Sequence, residues 1–190
     1  MNVVGFKTIS VKSHEEGGGG DCLFHALAAC IRQTNPVVNV QMQEVRNELS
    51  NSINHRNVNN FVEAVRSDHK QMLPTGSVDF NVIEMPKSRH DRAKTVKGLV
   101  SNAGVTFQGT DVALTFLADH SRYFKTFDIG VVVLTSYGPG FSAVYPSPVH
   151  GWKKHYFLLF NSANAHWTRA SIDGASVLSA YDLKQIFRHL

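Results

Sequence analysis

Near residue 128 the hydrophobic pattern of this chain changes period, and that change restricts its fold more than any other feature. Upstream, apolar residues recur at helical spacing. Leu23, Ala26, Leu27, Cys30 and Ile31 form a stripe over 22–33, the pattern of a buried helix, and Pro36 closes it. Met42, Val45, Leu49 and Ile53 form a second stripe over 40–54. Val58, Phe61, Val62 and Val65 form a third over 57–73, ended by Pro74-Thr75-Gly76. Residues 79–86 fit neither period. A fourth helix is expected over 91–103 with Val96, Leu99 and Val100 inward, and a fifth from Thr110, a good N-cap, to His120. Downstream the signal is β. Residues 128–135 are a β-branched run bounded by turn residues, which reads as a buried strand. Residues 155–160 and 167–172 read as two more strands joined by the polar turn 161–165, and a short edge strand is expected at 143–145 within the loop 136–151. Ser179-x-x-Asp182 is a capping box opening a last helix to about His189. Helices first and strands after them predict one α+β domain, with helices packed around a small central sheet.

Composition narrows the class. With 43% hydrophobic and 18% charged residues in 190, the chain is globular in composition and long enough for one real core. Two cysteines exclude a disulfide scaffold and a four-thiolate zinc site. No apolar run is long enough to cross a bilayer. Residues 1–16 carry no signal-peptide pattern, and no Asn-x-Ser/Thr acceptor occurs. A net charge of +4 without a dense Lys/Arg stripe argues against nucleic-acid binding. The expectation is a cytoplasmic monomer with no cofactor, no metal, no nucleic-acid partner and no membrane contact.

The richest chemistry lies in 17–27. Four consecutive glycines, Gly17–Gly20, precede Asp21-Cys22 at a helix start. Glycine exposes bare N–H groups and lets backbone approach a ligand closely. A cysteine in the first turn sits at the positive end of the helix dipole, which favours thiolate. The same amides suit a developing oxyanion, an interaction worth roughly 3–4 kcal/mol per donor in other enzymes. A linker running into a helix with an incidental cysteine would look similar.

A thiolate nucleophile needs a base, and ten histidines are available. His14, His55, His69 and His90 lie in polar, solvated surroundings, His120 on a helix surface, His150 and His155 beside a loop, and His189 near the end. His25 is one helical turn past Cys22, too far along the helix to pair with a thiol at its start. Cys22-x-x-His25 is half a zinc site without a visible second half. His166 is different. It opens a strand after a small polar turn, and a rigid element is what a general base requires.

These segments together resemble a known family. Gly20-Asp21-Cys22-Leu23-Phe24-His25-Ala26-Leu27 resembles the nucleophile motif of ovarian tumour (OTU) cysteine proteases, Asp-Gly-x-Cys-Leu/Phe-Phe/Tyr-x-Ala/Ser. Phe157-Leu158-Leu159-Phe160 followed by His166-Trp167-Thr168-Arg169-Ala170 resembles its closing segment, an apolar strand, a turn, then His-aromatic-Asn/Asp. Phe107-Gln108-Gly109-Thr110-Asp111-Val112-Ala113-Leu114 is similar to its Trp-Gly-x-x-x-Glu-Leu block. The three blocks keep the family's order and cover about 16–172 of a single domain spanning 1–190.

The resemblance implies a papain-like OTU fold, with Cys22 as nucleophile and His166 as general base and acid. It implies an oxyanion hole from the backbone of Gly19, Gly20, Asp21 and Cys22, and a channel for the substrate's Gly-Gly walled by the glycine loop and Trp167. The substrate implied is the peptide or isopeptide bond after the C-terminal Gly-Gly of ubiquitin or a ubiquitin-like modifier, making the chain a deubiquitinase. Divergence of this kind is common among viral members, where the same domain can cut a polyprotein and the location would be host cytoplasm. Two positions depart from the pattern. The acidic residue three before the cysteine is Gly19, and the residue two after the histidine is Thr168. The usual orienter of the imidazole is therefore missing. Thr168, Asn164, Asn161 and Asp21 are the substitutes in view, with Asp21 also expected to cap the Cys22 helix. A Cys/His dyad, a catalytically weak ubiquitin-binding domain and an unrelated basic interaction domain remain the alternatives.

Overall fold

The computed structural model describes residues 10–18, 20–69, 78–104, 107–135, 141–162 and 166–186. The upstream part is helical, as its period predicts: α1 (Cys22–Thr34), α2 (Met42–Ser52), α3 (Val58–His69), α4 (Arg89–Ser101), α5 (Asp111–His120) and the short α6 (Arg122–Thr126). Thr110 caps α5 by accepting from the Val112 amide at 3.3 Å. α4 begins two residues before its expected start, because Ser88 accepts from the Asp91 amide and so serves as N-cap. α6 was not expected; Ser121 starts it by accepting from the Phe124 amide at 3.1 Å.

α1 is buried almost all round rather than along one stripe: Leu23, Phe24 and Ala26–Ile31 are all buried. It is the central helix, with β-sheet on one side and α2 on the other. Fully burying each large side chain there contributes about 1.5–3 kcal/mol.

Among the described residues the sheet has six strands: β1 (Val11–His14), β2 (Ile129–Thr135), β3 (Phe141–Tyr145), β4 (His155–Ser162), β5 (His166–Ile172) and β6 (Val177–Ser179), followed by α7 (Ala180–Ile186). Their order is β1-β5-β4-β2-β3, with β6 also on β4. β2 and β4 run parallel, and the other pairs are antiparallel. β5 pairs with β4 at Leu159–Ser162 and β6 with β4 at His155–Phe157, so the two share one flank of the same strand. The expected edge strand is β3, two residues longer than its predicted start.

Both faces of the sheet are covered, which explains the uninterrupted apolar run of β2. Val131, Val133, Phe157, Leu159 and Trp167 join the helices in the main core. Val132, Leu134, Tyr156, Leu158, Ala170 and Ile172 form a second cluster with Leu183 of α7. β1 and β6 had no counterpart in the sequence reading. β1 is short and mostly exposed, an edge whose position is set by its partner, with Val11 opposite Ile172 and His14 opposite Arg169. Among the described residues no helix is long and apolar enough to cross a membrane.

Candidate active site

Cys22 is the first residue of α1, 7% exposed, and His166 is the first residue of β5, on which α1 packs. The turn that leads to α1 is built from the Gly20 backbone, whose φ of 91° lies in the left-handed region that glycine enters without strain. Asp21 occupies the N-cap position, and its carbonyl accepts from the His25 amide at 2.9 Å. Its carboxylate does not cap the helix, contrary to expectation. It binds the Arg46 guanidinium and accepts from the Gly104 amide at 2.7 Å.

Arg46 is fully buried on α2 and ties the turn before Cys22 to the loop before α5. Its other donors reach the carbonyls of Val100 at 2.8 Å, Gly104 at 3.1 Å, Phe107 at 2.7 Å and Gly20 at 3.5 Å. Its guanidinium lies 4.3 Å from the centre of the Phe24 ring, a cation–π contact. Burial lowers the Arg46 pKa from its ordinary value, against the opposing pull of Asp21 and the neighbouring Cys22. Gly109 completes the support, because a side chain there would overlap Leu23, the residue after Cys22.

On the opposite side, the segment following β1 reaches the imidazole. Glu15 Oε2 is 2.6 Å from His166 Nε2. Glu16 Oε1 accepts from Arg169 Nε at 2.6 Å, and Arg169 also donates to Ser176 Oγ at 2.7 Å. His14, expected in solvent, is half-buried with Nε2 2.8 Å from Ser171 Oγ. The His25 ring lies directly against the Gly17 backbone. Among the described residues no hydrogen bond joins Cys22 Sγ to His166; catalytic hydrogen bonds are often long in free enzymes and tighten with substrate.

Thr168 and Asp21, two of the expected orienters, have other partners. Thr168 is buried, its Oγ1 3.0 Å from Ser13 Oγ. Asp21 serves Arg46. Asn161 is buried opposite Trp167, with no partner for its Oδ1. Asn164 and the Gly19 expected in the oxyanion hole lie outside the described residues. Trp167, expected to wall the Gly-Gly channel, is 4% exposed and part of the main core. Strand alternation turns it inward against the helices. Glu15 was missed altogether, since an acidic pair after a polar stretch carries no local mark of its partner.

Cys30, the other thiol, is fully buried, and burial pushes its pKa up to about 12. A thiol held so firmly protonated is unsuited to nucleophilic work at neutral pH. Among the described residues no cluster of three or more His, Cys, Asp or Glu could hold a metal ion.

No protein-family model matches the chain, and no curated protein does. Solved structures are similar. An ovarian tumour (OTU) domain in complex with ubiquitin matches over 90% of this chain and 76% of its own, with a TM-score of 0.54 at 11% identity. An OTU deubiquitinase from Wolbachia pipientis covers 92% of this chain and 95% of its own, at a TM-score of 0.48 and 11% identity. The OTU domain of OTUD1 covers 85% of each chain, at 0.47 and 13%. A central helix with a cysteine at its N-terminus, packed on a small mixed sheet, places this chain in the papain-like α+β class. Within that class, its fold is that of an OTU domain.

Proposed function

We propose that this chain is a cysteine peptidase that cleaves the bond after the C-terminal Gly-Gly of ubiquitin or a ubiquitin-like modifier. The observation that carries the reading is the OTU-domain fold combined with a cysteine at the start of the central helix and a carboxylate-bound histidine at the start of the adjoining strand. Cys22 gives its proton to His166 and attacks the scissile carbonyl through sulfur. The resulting oxyanion is met by backbone amides at the start of α1, where N–H groups have no helical partner. His166 returns the proton to the leaving amine, the carbon–nitrogen bond breaks, and a thioester remains on Cys22. Water, deprotonated by the same imidazole, then releases the carboxylate and regenerates the thiol. Cleavage of a viral polyprotein after a similar sequence would use the same steps.

A second reading has one observation in its favour: Cys22 is only 7% exposed and, among the described residues, its sulfur makes no hydrogen bond to the ring. It describes a ubiquitin-binding domain of low turnover. Ubiquitin carrying a C-terminal electrophile separates the two. A covalent adduct that Cys22→Ala abolishes, with His166→Ala removing essentially all turnover, supports the peptidase. Binding without adduct supports the second reading, and absence of both overturns the ubiquitin assignment.

A further inference from the structure

We infer that Glu15 is the positioning residue of the His166 imidazole, brought to it from the opposite end of the chain by the edge strand β1. The inference rests on the proposed peptidase reading and adds the third member that the sequence lacked at Thr168. Glu15 Oε2 and His166 Nε2 are 2.6 Å apart, a short contact of the kind that charge-assisted hydrogen bonds make. With Nε2 committed to the carboxylate, Nδ1 is the nitrogen left to exchange a proton with sulfur, and the hydrogen bond selects that tautomer.

An exposed ion pair by itself contributes little, because solvent screens it and two flexible chains must be ordered; the Glu15 side chain is 69% exposed. Here the ordering is done by its neighbours. β1 pairs with β5 up to His14–Arg169. His14 is bound to Ser171, Glu16 is bound to Arg169, and Gly17 lies against the His25 ring. Every residue from His14 to Gly17 except Glu15 is thus anchored to β5 or α1, and Glu15 is the one directed at the imidazole. Two of the other candidates are engaged elsewhere, Thr168 with Ser13 and Asp21 with Arg46, and Asn161 Oδ1 makes no hydrogen bond among the described residues. Ring orientation therefore depends on β1 being docked.

The test uses the full chain, with Glu15→Ala and Glu15→Gln, and ubiquitin carrying a C-terminal fluorogenic amide. In metal sites, losing the carboxylate that holds a ligating histidine ring costs about 10–100-fold in activity, and the same scale is expected here. Glu15→Ala should lower kcat by that factor with KM within twofold. Glu15→Gln, which still accepts from Nε2–H, should recover most of the loss. Nitrogen-15 NMR of the ring should show the Nε2–H tautomer in the parent and in Glu15→Gln, and a tautomer mixture in Glu15→Ala. Parent-like kcat in Glu15→Ala, a loss that Gln does not restore, or an unchanged tautomer overturns the inference. Cys22→Ala keeps the two levels apart: if it retains parent turnover the peptidase reading fails, whereas if it is silent and Glu15→Ala is normal only the Glu15 inference fails.

Discussion

Arg46 and Asp21 form a buried ion pair at the turn before Cys22, 25 residues apart in sequence. The pair joins three segments that are otherwise separate: the start of α1, the middle of α2 and the loop ahead of α5. Breaking such a pair on one side leaves an uncompensated buried charge, at a cost of about 3–5 kcal/mol. Arg46→Leu should therefore lower the urea midpoint by that equivalent. Arg46→Lys should not restore it, since one ammonium cannot reproduce the planar fork that spans Asp21 and four carbonyls. The double variant Arg46→Leu/Asp21→Asn should lose less than the sum of the single losses. Additive losses would mean that the pair does not couple these segments.

Cys30 supplies a pH signature. Its thiol rises from the ordinary 9.0 to about 12 in the folded chain, because burial disfavours the thiolate. Below pH 9 the folded and unfolded chains both keep this proton. Between about 9 and 12 only the unfolded chain releases it, so stability falls as pH rises through that window, by up to about 1.4 kcal/mol per pH unit from this group. Cys30→Ala should begin less stable at pH 7 by about 1–2 kcal/mol. Its stability should then fall less steeply above pH 9 than that of the parent, as read by denaturant melts across the range. Turnover at pH 7 should be unchanged.

Gly109 is needed for close approach. A Cβ there would stand 2.5 Å from Leu23 Cδ2 and 2.6 Å from Leu23 Cβ, so a rotamer change cannot clear it. Gly109→Ala must push the loop away from α1, a strain of about 1–3 kcal/mol. A melting temperature lowered by several degrees, with turnover reduced because Cys22 adjoins Leu23, is the expected result. A variant as stable as the parent would show that the loop moves freely.

Arg169 links the segment beside His166 to the body of the sheet through Glu16 and Ser176. Arg169→Met keeps the alkyl stem and removes both bonds. Amide exchange over residues 15–18 should accelerate about tenfold or more, while the β2 amides, inside the core, keep parent rates. Unchanged exchange in 15–18 would show that β1 pairing alone holds that segment.

What could be read along the chain was whatever neighbours within a few residues encode. The stripe at Leu23–Ile31, the cap at Thr110 and the β-branched run at 128–135 each declare a period or a turn locally, and each became the expected element. Cys22 and His166 were marked as candidates in the same way, through the glycines before one and the strand around the other. β1 and β6 were not. Val11–His14 is largely exposed and has no strong alternation, so its strand character comes from the partner that offers it hydrogen bonds.

The same division runs through the site. Residue type and helix position marked the sulfur as a nucleophile candidate before any fold was known. Which groups surround it was a matter of long-range pairing. Asp21 meets Arg46 instead of capping its own helix, Trp167 turns into the core, and Glu15 comes to rest against an imidazole 151 residues away. Local periodicity follows from backbone geometry and needs only nearby residues. The choice of partner for a polar side chain depends on which surfaces close over it, and that is settled when the sheet and the helices pack.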